Sequence, residues 1–223
     1  MATGIRVGIV DADASIRAGR RMVLDAALDI SVVFEEDDVA RVMEKFDDYL
    51  IDVLLVEQRL RGVTGVELTQ ALTKIKIASG NATRILLTTV FSSPELCLSA
   101  FAAGASALVE QSEGPQHLLD QIRLLNSARP AHSSAELQSM WQAAGGVVRE
   151  DLALELFLER LPANEIKGLQ MLVSGAPGAA IAKELDLAIY RVRKNLERAL
   201  SALGLATLEQ LQIRFISAGI ANA

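Results

Sequence analysis

One cysteine, Cys97, and two histidines, His117 and His132, are the only thiol and imidazole metal ligands in 223 residues. A lone cysteine closes no internal disulfide, and this set falls short of a structural zinc site. No metal and no cofactor are expected. Long apolar runs are absent too: none approaches the roughly 20 residues that span a bilayer. Asp11 and Asp13 interrupt the N-terminal stretch too early for a secretory core, so a cytoplasmic chain with no membrane partner is expected. Gly-rich phosphate loops, nucleophile-base pairs and metal clusters are missing, which argues against an enzyme.

What is present is a chain 51% hydrophobic and 22% charged. That is too apolar for disorder and long enough for two cores. The net charge of −6 is unevenly spread: residues 1–125 carry 12 Lys/Arg against 18 Asp/Glu, whereas residues 150–223 carry 8 against 9. An acidic front half and a near-neutral tail leave nucleic-acid binding to local clustering of cations, because phosphate attraction is screened within about 10 Å.

Along residues 1–127, short apolar runs alternate with amphipathic stretches, as in a parallel sheet covered by helices. Strands are expected at 5–10, 30–34, 53–56, 84–88 and 107–109, with helices near 15–27, 38–48, 65–78, 93–103 and 115–127. The acids Glu35, Glu36, Asp37 and Asp38 are read as a solvated turn and helix start. This predicts a doubly wound five-stranded α/β domain. Its functional crevice lies at the carboxyl ends of the strands, where Asp11, Glu57, Thr88 and Gln111 should converge.

Residues 128–150 lose all periodicity around Pro130 and are read as a linker, with a short helix from Ser134 to Ala144 broken at Gly145 and Gly146. Residues 151–223 read as all-helical. Helices are expected at 150–160, 165–174, 179–185, 188–203 and 207–217, the first bridging the domains and the other four forming the tail domain. In the helix at 188–203, Ile189, Val192, Leu196, Ala199, Leu200 and Leu203 form one apolar stripe. Tyr190, Arg191, Lys194, Glu197, Arg198 and Ser201 stand opposite, flanked by Arg193 and Asn195. Four of the tail's eight cations thus sit on one helix, which suits entry into a major groove. A short helix, a tight turn and a long two-faced helix make a helix-turn-helix.

The motifs Val10-Asp11-Ala12-Asp13, Glu57 through Gly65, Leu87-Thr88 and Ala103-Gly104-Ala105 resemble the landmarks of response-regulator receiver domains. That resemblance implies an acidic pair holding Mg²⁺ after the first strand, a phosphoacceptor aspartate after the third, and a Thr/Ser and a Lys that read the modified state. Here Asp11 and Thr88 keep their positions, but Ala12 stands at the second acid, Glu57 at the acceptor, Gln111 at the lysine and Leu108 at the signalling aromatic. The extra methylene of Glu57 moves its carboxylate roughly 1.5 Å, which spoils in-line attack. Three readings stand open: Glu57 imitates the phosphorylated state, it marks a decayed pocket, or some phosphorylation persists.

The stretch from Leu161-Pro162-Ala163-Asn164-Glu165 through Ile181-Ala182, Val192-Arg193 and Leu203-Gly204-Leu205 resembles the quorum-sensing-regulator type of helix-turn-helix. With the receiver it resembles the nitrate-regulator class. The resemblance implies that Arg193 and Lys194 meet bases or phosphates, with Arg191, Asn195, Glu197 and Arg198 alongside. Pro177-Gly178-Ala179-Ala180 replaces a polar cap and a phosphate contact, so affinity is expected to be modest.

The expected function is a transcription regulator binding double-stranded DNA as a homodimer, largely independent of phosphorylation. Abundance, a regulatory protein partner or a small ligand at the carboxylate edge are the candidate inputs. The C-terminal helix with Leu208, Leu211, Ile213, Phe215 and Ile216 is a candidate dimer surface. The alternative is an adaptor that pairs with another regulator and does not touch DNA.

Overall fold

The computed structural model describes residues 4–127, 134–145 and 151–220. Residues 128–133 and 146–150, the two ends of the linker expected from sequence, lie outside the described residues. The chain divides into two compact units, Met1–Ala131 and His132–Ala223.

In the first unit five strands, β1 (Ile5–Val10), β2 (Ile30–Glu36), β3 (Val53–Glu57), β4 (Arg84–Thr89) and β5 (Ala107–Glu110), form one parallel sheet in the order β2-β1-β3-β4-β5. Between and after them run α1 (Ala14–Asp25), α2 (Val39–Lys45), α3 (Gly65–Ser79), α4 (Pro94–Ala103) and α5 (Gly114–Asn126). Strand alternation sends Val7, Ile9, Val53, Leu55, Leu86 and Val109 to one face, where they pack with Leu24 of α1 and Leu118, Ile122 and Leu125 of α5. Leu54, Val56, Ile85 and Leu87 alternate to the other face and are fully buried. Both sides of the sheet are therefore dry, as a parallel sheet requires. Strand β2 continues to Glu36 and so absorbs the first two residues of the acidic run, while Asp38 caps α2 through its side chain.

The strand order reverses between β1 and β3, and this leaves a crevice at the carboxyl edge. Local chemistry fixes the loop beside it. Thr64 caps α3 in a reciprocal box with Glu67. Gly65 sits so close beneath the end of β3 that a Cβ there would lie 2.5 Å from the Glu57 carbonyl oxygen. Only glycine lets α3 begin directly under the site.

The second unit contains α6 (Ser134–Ala143), α7 (Leu152–Leu158), α8 (Ala163–Val173), α9 (Gly178–Glu184), α10 (Ile189–Leu203) and α11 (Leu208–Ser217). Leu154 and Leu158 of α7, Leu169 and Val173 of α8, Ala199 of α10 and Leu211 and Phe215 of α11 share one core. Helix α7 is thus a structural member of the bundle. Leu211, Phe215 and Ile216, candidates for a dimer surface from sequence, are buried inside this unit.

The turn from α9 to α10 passes through Asp186 at φ 52°, a left-handed conformation that Asp tolerates better than most side chains. Gly168 lets α9 approach α8, since a Cβ would meet the Leu185 methyl at 3.2 Å. One assignment from sequence is corrected here: Ile189, placed on the buried stripe of α10, is 60% exposed. A helical side chain leans toward the helix N-terminus, over the turn before its own Cα. At the first position of a helix no such turn exists, so Ile189 overhangs into solvent.

Asp151 caps α7 by accepting from the Leu154 amide at 3.0 Å and pairs with Arg214 of α11 through two bonds of 2.7 and 2.6 Å. Arg214 also donates to the Leu203 carbonyl at the end of α10. One ion pair therefore ties three helices together. The Arg214 guanidinium holds the Asp151 carboxyl below its ordinary value of 3.8. Stability from this pair is present above that value and lost as pH falls through the lowered one. Asp151→Ala is expected to destabilise the second unit by about 1–3 kcal/mol at neutral pH, and by progressively less below pH 3.8. Thermal melts at several pH values measure both; an unchanged midpoint at pH 7 would contradict this account.

Candidate functional site

The carboxyl edges of β1, β3, β4 and β5 bring Asp11, Glu57, Thr88 and Gln111 together. The side chain that joins them was not singled out from sequence. Arg20, on α1 and only 8% exposed, reaches into the crevice. Its Nη1 donates to Asp11 Oδ2 at 2.6 Å and its Nη2 to Glu57 Oε2 at 2.6 Å. A planar guanidinium can bridge two carboxylates in this way, whereas a lysine, as a point donor, cannot hold both in fixed geometry. The signal was present in the spacing: Arg20 stands four residues before the apolar Leu24 on the same face of α1, so an arginine there needed a buried anion.

The other contacts of Glu57 crowd onto the same oxygen, while among the described residues its Oε1 meets only the Arg59 amide at 3.5 Å. Thr88 Oγ1 donates to Glu57 Oε2 at 2.9 Å, a shorter contact than its 3.4 Å alternative to the Val56 carbonyl. Gln111 Nε2 donates to the same oxygen at 3.1 Å. Asp11 Oδ1 accepts from the Asp13 amide at 2.8 Å, and Arg17 Nη1 donates to the Asp11 carbonyl. Asp13 itself is exposed at the rim of the crevice, where its side chain caps α1 by accepting from the Ser15 and Ile16 amides. Leu108, at the position of the signalling aromatic, is half-buried in β5.

Glu57 and Asp11 are only 5% and 2% exposed. Burial pushes the Asp11 carboxyl up; the Asp13 amide and Arg20 oppose that shift, and Glu57 reinforces it. Stability linked to Asp11 is therefore fully present below its ordinary value of 3.8 and declines as pH rises through the raised one.

The Mg²⁺ implied by the receiver resemblance does not fit this set of side chains. Hard divalent cations need several free oxygens. Here Asp11 and Glu57 are both engaged by Arg20, Ala12 offers no side-chain oxygen, and Asp13 Oδ1 is used in capping α1. Among the described residues no group of three or more His, Cys, Asp or Glu is arranged to hold a metal.

In the second unit, α10 exposes Arg191, Arg193, Lys194 and Glu197, with Asn195 half-buried. Arg198 forms an ion pair with Glu165 of α8, and Lys167 of α8 pairs with Glu184 of α9 at 2.7 Å. Arg191, Arg193 and Lys194 form no ion pair among the described residues. The free cations are thus concentrated in the first half of α10. Pro177 and Ala188, at the starts of α9 and α10, supply no side-chain cap.

Residues 7–123, over half of the chain, match the response regulator receiver domain, and the chain belongs to that family. It is similar to the response regulator UvrY of Escherichia coli strain K12, with 26% identity over 220 residues covering 98% of this chain and 97% of that protein. It is also similar to the nitrate/nitrite response regulator protein NarP of the same organism, 25% identical over 215 residues and covering 96% of each. These relatives are response regulators, not enzymes. A LuxR-family two-component response regulator from Aurantimonas sp. SI85-9A1 aligns with a TM-score of 0.53 at 27% identity, covering 64% of this chain and 96% of that one. The RcsB response regulator of Salmonella typhimurium shares the fold, with a TM-score of 0.54 at 18% identity over 92% of this chain and 94% of that one.

Removing Arg20 leaves two buried carboxylates facing each other, a loss of about 3–5 kcal/mol for a broken buried pair. Arg20→Ala is expected to lower hydrogen-exchange protection across β1 and β3 by that amount, and Asp11→Asn in the same chain to restore part of it by removing the repulsion. Unchanged protection in Arg20→Ala would contradict the bridging role.

Proposed function

We propose that this response regulator is a DNA-binding transcription regulator whose receiver unit works without aspartyl phosphorylation. The proposed organisation is a receiver-like domain over 1–127, a linker over 128–150 and a DNA-binding domain over 151–223. The observation that carries the phosphorylation-independent part is the occupancy of Glu57: Thr88, Gln111 and Arg20 all donate to its carboxylate. A threonine hydroxyl drawn onto a fixed negative charge at the end of β3 is the arrangement a phosphoryl group there would impose. Glu57 supplies it permanently, and this favours imitation of the modified state over simple decay of the pocket.

DNA binding is supported by the unpaired cations Arg191, Arg193 and Lys194 at the start of a long exposed helix that follows a tight turn. Asn195, Glu197 and Arg198 would lie beside them on the duplex, Arg198 by sharing or leaving Glu165. One such domain buries too little surface for tight binding, so the working form is a homodimer on two half-sites. The described residues contain no helix long and apolar enough to cross a membrane, and the proposed location is the cytoplasm. A protein partner or a small ligand at the carboxylate edge would then supply the input that phosphorylation does not.

The test is binding to genomic DNA fragments at low and moderate salt, with and without acetyl phosphate and Mg²⁺. Wild type is expected to bind with affinity unchanged within about twofold by the donor. Glu57→Ala and Thr88→Val are expected to weaken DNA binding or dimerisation, and Arg193→Ala with Lys194→Ala to lower the salt slope by about 2. A tenfold donor response would overturn phosphorylation independence. Glu57→Ala behaving as wild type would leave decay of the pocket as the better account. No salt-dependent association at all would favour an adaptor that pairs with another regulator.

A further inference from the structure

Two large apolar side chains stand in solvent at the beginning of α10: Ile189 is 60% and Tyr190 63% exposed. Among the described residues of the second unit, Leu156 at 42% is the only other large hydrophobic exposed in this way. The core below α10 is closed without them, by Val192, Leu196, Ala199, Leu200 and Leu203. At 100° per residue Tyr190 lies about 40° from Lys194 and about 20° from Glu197, and Ile189 about 40° from Arg193. Apolar groups and unpaired cations therefore share one exposed surface at one helix end.

That mixture decides between occupants. An apolar protein groove would cover Ile189 and Tyr190 but would strip water from Arg191, Arg193 and Lys194 without replacing it. A duplex satisfies both kinds of group. Phosphates receive the cations, and the major groove offers an apolar feature on a base edge, the C5-methyl of thymine. The first residues of a recognition helix are the ones that reach deepest toward bases.

We propose that Ile189 and Tyr190 read thymine methyl groups, so that each half-site carries thymine beneath the start of α10. This rests on the DNA-binding reading above and adds the base chemistry that is recognised. Arg193 and Lys194 supply attraction to phosphate or guanine, and the apolar pair supplies discrimination for thymine. Tyr190 can use its ring on the methyl while its hydroxyl donates to a neighbouring acceptor.

The experiment selects duplexes from a random-sequence pool with the full-length chain. Each thymine of the enriched site is then replaced in turn by deoxyuridine, which removes the methyl and leaves the pairing edges intact. Wild type is expected to lose about fourfold in affinity at one or two positions per half-site, the value of one buried methyl-sized group, and to change less than twofold elsewhere. Tyr190→Ala or Ile189→Ala should abolish that sensitivity, whereas Tyr190→Phe should retain it. Both residues are exposed, so thermal midpoints should stay at the wild-type value. An enriched site that tolerates uracil everywhere, or alanine variants with undiminished uracil sensitivity, would overturn the thymine inference while leaving DNA binding intact. If the wild type enriches no sequence and shows no salt-dependent association, both fall together.

Discussion

The receiver unit depends on one guanidinium placed between two buried carboxylates. Arg20 meets Asp11 and Glu57 at 2.6 Å each, at the point where the strand order reverses. Without it, two carboxylates would face each other in a site almost closed to water, and the neutral amide of Gln111 could balance neither. The cation comes from within the fold, on a helix whose other inward residue, Leu24, packs in the core. Charge balance and packing are therefore solved by the same element.

The state of Thr88 follows from this. Its hydroxyl can turn to the Val56 carbonyl or to Glu57, and the geometry favours Glu57. An external signal shifts such an equilibrium only by interacting differently with its two states. On the proposed reading, a carboxylate held by Arg20 and Gln111 already biases the hydroxyl and leaves added phosphate little to change. Control would then act on Arg20, on Gln111, or through association with a partner.

The second unit makes a cationic surface by subtraction. Its sequence is close to neutral, yet Arg214 is held by Asp151, Lys167 by Glu184 and Arg198 by Glu165. These pairs fasten the bundle and neutralise its flanks. Of the five described cations left without an ion pair, Arg160 and Lys183 stand on other segments, and Arg191, Arg193 and Lys194 gather at the start of α10 beside Ile189 and Tyr190. A small local field of this kind attracts phosphate at contact range and steers little from a distance, because charges beyond about 10 Å are screened.

The α/β alternation, the five strands and the helix-turn-helix were legible in the sequence because each element carries its own periodicity and its own stop signals, such as Gly80, Gly104 and Gly204 at helix ends. The convergence of Asp11, Glu57, Thr88 and Gln111 was legible too, since the ends of parallel strands must share an edge. Arg20 could have been suspected from its place on the inward face of α1, but which acids it joins depends on residues 9 and 37 positions away. Whether Ile189 lies in the core or in solvent was likewise undecidable from a helical wheel. A wheel shows direction about an axis and says nothing of where the neighbouring helix stops. Local patterns are set by short-range sterics and hydrogen bonding; long-range charge pairing and the exposure of a helix end exist only once distant segments have been brought together.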